Sequence, residues 1–373
     1  MSAQPLFTLR GHATGVTAVV QLELEDEVCL VSGDQEGTVV LWNLITFKKI
    51  KSYPKICNSQ VQSIRVVPLE VGGERNTVLI VQSRNDGLFL FSLAEDNDFV
   101  KLINYPTYEA LFSRGDAIPT FASKAVLAYP SCINNHLVTI RLIGPDAKTI
   151  LSGSAQRYQE EDSKKGSLFD IKIEQEDSAF LLFAAYEDST ICAFSFNLKD
   201  TIHVPVLESS GIKIDLIRRF DLKFGDFIGS LSVDLVDESY RLIAGAPTKD
   251  VYVIKTPKDM RSSEKDEVDQ IKLKRRGVSR IATDAHSDVA AIACWDSSIV
   301  IYSMRSRSLI ETLHHHTKQT QDLIFLDKPL LHDNADDDEH DSYGTDSQKS
   351  RESGRLLLCA ASMDGTISLT YIG

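Results

Sequence analysis

One unit recurs along the 373 residues, and it restricts the possible folds more than any other feature of the chain. Its clearest copy is LRGHATGVTAVVQLELEDEVCLVSGDQEGTVVLWNL, from Leu9 to Leu44. Gly11-His12 leads into an alternating strand from Val16 to Leu22, then a strand from Val28 to Ser32, the turn Asp34 to Gly37, and a strand from Thr38 to Trp42. Side chains of period two line up on opposite faces of a small sheet. One such sheet cannot bury both faces alone, so copies of the unit must stack on one another.

Weaker copies follow at irregular spacing. The second has VQSIRVVP, TVLIVQS, the turn Asn85-Asp86-Gly87 and LFLFSL; the third has AVLAYP and HLVTIRLI, joined by Ser131 to Asn135. LFDIKI, AFLLFAAY and TICAFSF form the fourth, and IGSLSVDL, YRLIAGA and VYVIKT the fifth. The sixth is VSRIATD, DVAAIACW and SIVIYSM; the seventh is QDLIFL, LLLCAAS, Met363-Asp364-Gly365 and TISLTYI. The order from Gly11-His12 to Trp42-Asn43 is that of a WD repeat, with Asn43 standing where Asp is usual. Seven copies predict an all-β, seven-bladed WD40-type β-propeller filling residues 1–373 as a single domain. An open array of β-sandwiches is the competing architecture, and it does not repeat a hairpin with this regularity.

Six copies are followed by a fourth short segment, such as SLIETL after the sixth, whereas the seventh stops at the chain end. Its last strand would leave a row of unpaired N–H and C=O groups, an invitation to aggregate. Pro5 to Arg10 is a spare strand ahead of the first copy. Leu6 to Leu9 is therefore expected to be the outer strand of the last blade, so that both termini share it.

Charge and cysteine usage narrow the function. A net charge of −13 argues against a general nucleic-acid binder, leaving Lys272-Leu273-Lys274-Arg275-Arg276 as a local basic patch. Six scattered cysteines without a C-x-x-C pair fit reduced core residues better than disulfides or structural zinc. The longest apolar run, Ala179 to Tyr186, is short for a membrane span, and the N-terminus lacks a signal-peptide pattern, so a soluble, non-secreted chain is expected. Residues 327–354 carry His332-Asp333-Asn334-Ala335-Asp336-Asp337-Asp338-Glu339-His340-Asp341, an acidic insertion expected to be disordered, either solvated or bound to a basic partner. Lys255 to Asp269 reads as a second charged, solvated loop.

Reactive chemistry has few candidates. His314-His315-His316 suggests a metal site, but neighbouring residues of a strand face opposite ways, and the run stands where the first copy has Gly11-His12. One of the three is expected to be structural like His12, and no metal or cofactor is implied. Asp86, Asp188, Asp296 and Asp364 recur in the hairpin turns, the placement of structural hydrogen-bond acceptors rather than of catalytic carboxylates. At the position of Trp42 the fourth and sixth copies have Phe194 and Tyr302, the fifth Lys255 and the seventh Thr370. No cluster of ionisable groups for a central channel is evident, and no G-x-S-x-G, H-E-x-x-H or phosphate-loop pattern occurs. Trp295 lies in a turn, where an exposed aromatic is a candidate partner-binding residue.

Three stretches resemble one WD-repeat family: LVSGDQEGTVVLWNL, LLFAAYEDSTICAFSF and GVSRIATDAHSDVAAIACWDSSIVIYSMRSRSLIETLHHH. The last is the most specific, with Trp295-Asp296 in the turn and Tyr302 after it. The family is the fungal ASTRA-associated protein 1, related to an animal G-protein-β-subunit-like WD protein. The resemblance implies a non-catalytic nuclear scaffold, with the cytoplasm as a second location, linked to chromatin remodelling. It implies protein partners: ASTRA subunits, a Tel/Tti-type cochaperone and a kinase-related pseudokinase, with no direct nucleic acid and no membrane. An adaptor of a ubiquitin ligase or of ribosome assembly is the alternative, and a propeller enzyme the more distant one.

Overall fold

The computed structural model describes residues 4–24, 27–107, 112–120, 123–156, 166–176, 179–198, 211–327 and 356–372. Their strands form seven four-stranded antiparallel sheets. Each sheet begins with an innermost strand: Val16–Leu24, Val61–Val71, Asp116–Thr120, Leu168–Glu176, Ser230–Val236, Val278–Asp284 and Thr320–Leu326. Every innermost strand contacts the next one round, and the seventh returns to the first, which makes the sheets blades of a closed propeller.

The hairpins follow from local chemistry. Between the second and third strands of blade one, Gly37 adopts φ 81°, and a Cβ there would lie 2.1 Å from the carbonyl oxygen of Cys57 in the next blade's entry loop. Only glycine meets both demands, left-handed backbone and close approach. Buried apolar residues then divide into seven clusters, one at each junction between neighbouring blades. Stability is thus spread round the ring, each blade completing the core of its two neighbours.

Blade seven is built from both ends of the chain, as its strand count requires. Phe7–Arg10 runs antiparallel to Thr366–Ile372, with Phe7 opposite Leu369 and Arg10 opposite Thr366. Leu6 N–H donates to the Leu369 carbonyl at 2.7 Å. Leu9, 1% exposed, enters the cluster shared by blades seven and one, beside Trp42 and Leu369.

Two loop expectations fare differently. Of the acidic insertion, residues 328–354 lie outside the described residues. The segment from Lys255 to Asp269 is not simply solvated: it is split between two strands, Asp250–Pro257 and Glu267–Lys272, and the connection is tied to blade four. Arg218 donates to the carbonyls of Met260, Ser262 and Glu264 and pairs with Asp266 at 2.9 Å. Met260 is buried in the cluster between blades four and five. Charge composition alone missed this because one arginine in an outer strand satisfies three loop carbonyls at once.

Candidate functional site

The WD network is complete in blade one. His12 Nδ1 lies 2.9 Å from Asp34 Oδ2 and its Nε2 2.7 Å from Ser32 Oγ, which also accepts Trp42 Nε1–H at 2.7 Å. Burial pushes the Asp34 carboxyl up, but bonds from His12 and from the N–H groups of Thr38 and Glu36 outweigh it and hold the group below the usual carboxylate range. An ionised Asp34 only accepts, so His12 donates from Nδ1.

Blade seven has a variant. His316 Nδ1 lies 3.1 Å from Asp364 Oδ2 and its Nε2 2.9 Å from Ser368 Oγ. Of the three adjacent histidines, His316 is buried in this network, His315 meets Thr370 Oγ1 at 3.1 Å, and His314 is exposed. They diverge instead of converging on an ion. In ladder register Asp34 matches Ser362, two residues before Asp364. The first blade therefore takes its aspartate from the strand end and the seventh from the turn.

The other turn acids occupy related places. Asp86 accepts from Asn58 N–H at 2.8 Å and from the hydroxyls of Ser59 and Ser83. Asp296 accepts from Ser298 and pairs with Arg275 at 3.0 Å. Asp188 sits exposed in its turn, beside Glu187, whose carboxylate takes the Ser167 N–H at 2.9 Å. One position needs correcting: the ladder sets Ile254, opposite Leu242, where blade one has Trp42 opposite Leu30. Lys255 is one residue further on and points to the other face, exposed.

The channel does hold a cluster of ionisable groups, contrary to the expectation from sequence. Arg114, in the loop before blade three, reaches across to blade seven, with Nη1 3.1 Å from Asp322 Oδ1 and Nη2 donating to the Gln321 carbonyl at 2.7 Å. From blade six, Arg280 places Nε 2.9 Å from the same Asp322 oxygen and Nη1 3.1 Å from Asp170 Oδ2 in blade four. Beside them Arg65 and Asp116 pair at 2.6 Å.

Innermost strands have no ladder partner on the channel side, so their N–H groups need other acceptors. The preceding blade supplies them: Asp322 takes Val19 N–H at 3.0 Å, Asp116 takes Ile173 N–H at 3.1 Å and Asp170 takes Leu231 N–H at 2.8 Å. In blades four, six and seven a register shift between the first residue of the strand and the third turns Asp170, Arg280 and Asp322 toward their partners. Burial would raise the Asp322 carboxyl, yet Arg280, Arg114 and the Val19 N–H hold it below its usual range. Burial and the neighbouring Arg280 push Arg114 down to about 10. Both oxygens of Asp116, Asp170 and Asp322 are engaged, so these carboxylates act as a clasp across the channel.

Deeper along blade four, burial together with Asp116 and Asp234 raises the Glu174 carboxyl from 4.5 to about 7. A carboxyl with a raised folded value binds its proton more tightly when folded, so stability falls as pH rises between those values. The Glu174 contribution is expected to fall from about pH 4.5 to about pH 7, so Glu174→Gln should remove that component of the pH dependence of melting and raise stability at the alkaline end. Equal slopes for the two proteins would remove Glu174 from the account. Between blades five and six a cavity of about 310 Å³ is lined by Tyr302, Met304 and Arg241, and the arginine is already paired with Asp234 and Asp288.

Trp295 is 48% exposed. Its indole lies on Gly277, where a Cβ would come within 2.4 Å of the ring, and the Trp295 backbone N–H donates to the Gly277 carbonyl at 3.0 Å. Gly277, at φ 91°, is therefore the platform for the ring. With entry loops and hairpin turns on one face of every antiparallel blade, Phe112 (59% exposed) and Ile133 (78%) share that face with Trp295.

Comparison with known proteins agrees with this geometry. The family model for the WD domain, G-beta repeat, matches residues 3–43, the stretch holding His12, Asp34 and Trp42. ASTRA-associated protein 1 of Penicillium rubens is 22% identical over 378 residues, covering 87% of this chain and 81% of that protein. ASTRA-associated protein 1 of Kluyveromyces lactis is 38% identical over 60 residues, 16% of this chain and 14% of that protein. The chain is thus a seven-bladed propeller with a WD repeat matched in its first blade, similar along most of its length to ASTRA-associated protein 1 of Penicillium rubens.

Proposed function

We propose that the protein is a non-catalytic adaptor subunit of an ASTRA-type assembly. In this role it joins chromatin remodelling to the cochaperone-assisted maturation of phosphatidylinositol-3-kinase-related kinases, and it works in the nucleus. The observation that carries the reading is the match along most of the chain to a protein named for its association with ASTRA. A closed ring with charge-paired channel carboxylates supports it, because such a body presents broad surfaces for partners.

Affinity purification of the tagged full-length protein, read by mass spectrometry, tests the proposal. Co-recovery of a Tel/Tti-type cochaperone and of a kinase-related pseudokinase is expected. Recovery of ubiquitin-ligase or ribosome-assembly subunits in their place would overturn it.

A further inference from the structure

We infer that the corner between blades five and six, on the face of entry loops and hairpin turns, is a docking site for a short acidic segment of a partner protein with an apolar anchor residue. This deepens the adaptor reading and rests on it. Three pieces of chain are stitched together there. Leu273 N–H donates to the Lys249 carbonyl and Gly277 N–H to the Thr248 carbonyl, both at 2.8 Å, while Trp295 N–H bonds Gly277. The surface is therefore set before any partner arrives, which lowers the ordering cost of binding.

Its chemistry is unlike that of the chain as a whole. Lys249, Lys272, Lys274, Arg275 and Arg276 are all exposed, against two carboxylates nearby, Asp250 and Asp296. Arg275 is held by Asp296, whereas Lys249, Lys272, Lys274 and Arg276 have no ion pair among the described residues. A basic corner on a chain of net charge −13 is a local departure, and its field favours an acidic ligand.

Trp295 stands on the same corner, its turn bonded to Gly277. One face of the indole covers Gly277, and among the described residues no cation stacks on the ring, which leaves the outer face open. An exposed aromatic on the same stitched loops as four unpaired cations matches an apolar side chain flanked by Asp or Glu, with the aromatic as the energetic centre. A nucleic-acid strand fits less well. Its repeated phosphates need an extended basic track, and this corner is bounded by Asp250 and Asp296 on an acidic body.

The full-length protein can be titrated with a labelled peptide of Asp and Glu around one central Phe, with the Gln/Asn version of that peptide, and with an oligothymidylate. Trp42 is 2% exposed, so quenching of tryptophan emission by an aqueous quencher reports mainly on Trp295. The acidic peptide is expected to bind, to protect Trp295 from the quencher, and to weaken with salt. Trp295→Ala and the pair Lys274→Glu/Arg276→Glu should each weaken it by about tenfold or more with melting close to wild type. Equal binding of the Gln/Asn peptide, or undiminished binding to both variants, overturns the inference, and tighter binding of the oligothymidylate replaces it with a nucleic-acid site. If the peptide fails yet the tagged protein still recovers its cochaperone and pseudokinase, the corner falls and the adaptor reading stands.

Discussion

A protein lacking Met1 to Arg10 is expected to melt well below the full chain and to associate with itself. The segment is short, but its residues Phe7–Arg10 are the outer strand of blade seven, and their loss bares the edge of Thr366–Ile372. Removing Leu9 from the junction of blades seven and one costs about 2–5 kcal/mol by itself, the range for deleting a buried leucine side chain. The ladder from Phe7 to Arg10 and the stacking of Phe7 on Phe47, with ring centroids 4.4 Å apart, add to the loss. Thermal melting and size-exclusion chromatography check it. A truncated protein that stays monomeric and melts at the wild-type temperature would mean that the shared strand does not hold the ring closed.

Asp322→Ala is the single substitution with the largest expected effect. It strips the common partner from Arg114 and Arg280, two buried guanidinium groups, and the acceptor from Val19 N–H. Removing one member of a buried ion pair leaves an uncompensated charge and costs about 3–5 kcal/mol. A solvent-screened surface pair such as Lys148 with Asp146, 3.6 Å apart, should cost far less when broken. Denaturant unfolding of the two variants side by side separates the cases. Asp322→Ala within about 1 kcal/mol of wild type would show that the channel clasp contributes little to holding blades three, four, six and seven together.

The number of blades and the sharing of the last one were legible in the chain because both depend on local events. A hairpin such as Cys359 to Ile372 needs alternating residues and a glycine able to turn at Gly365, and counting such units shows one strand missing at one end and one spare at the other. His12 and Trp42 stood out for the same reason: they occur in one copy at the spacing that brings them to Ser32. Asp34 was less visible, since it lies two positions from the turn acid of blade seven, and a two-residue offset keeps the strand pattern intact. Lys255 was misplaced by one residue because a single-step shift exchanges the faces of a strand without changing its composition.

What the sequence determined by itself was the repeating unit, its alternation and its closure, all written in residues a few positions apart. Only the tertiary structure decided the channel clasp, in which Arg114 and Asp322 are separated by 208 positions, and the corner that gathers Trp295 with Lys249, Lys272, Lys274 and Arg276. No period relates those residues. They meet because seven sheets close into a ring, which brings the innermost strands of distant blades together around one channel and loops of neighbouring blades together on one face.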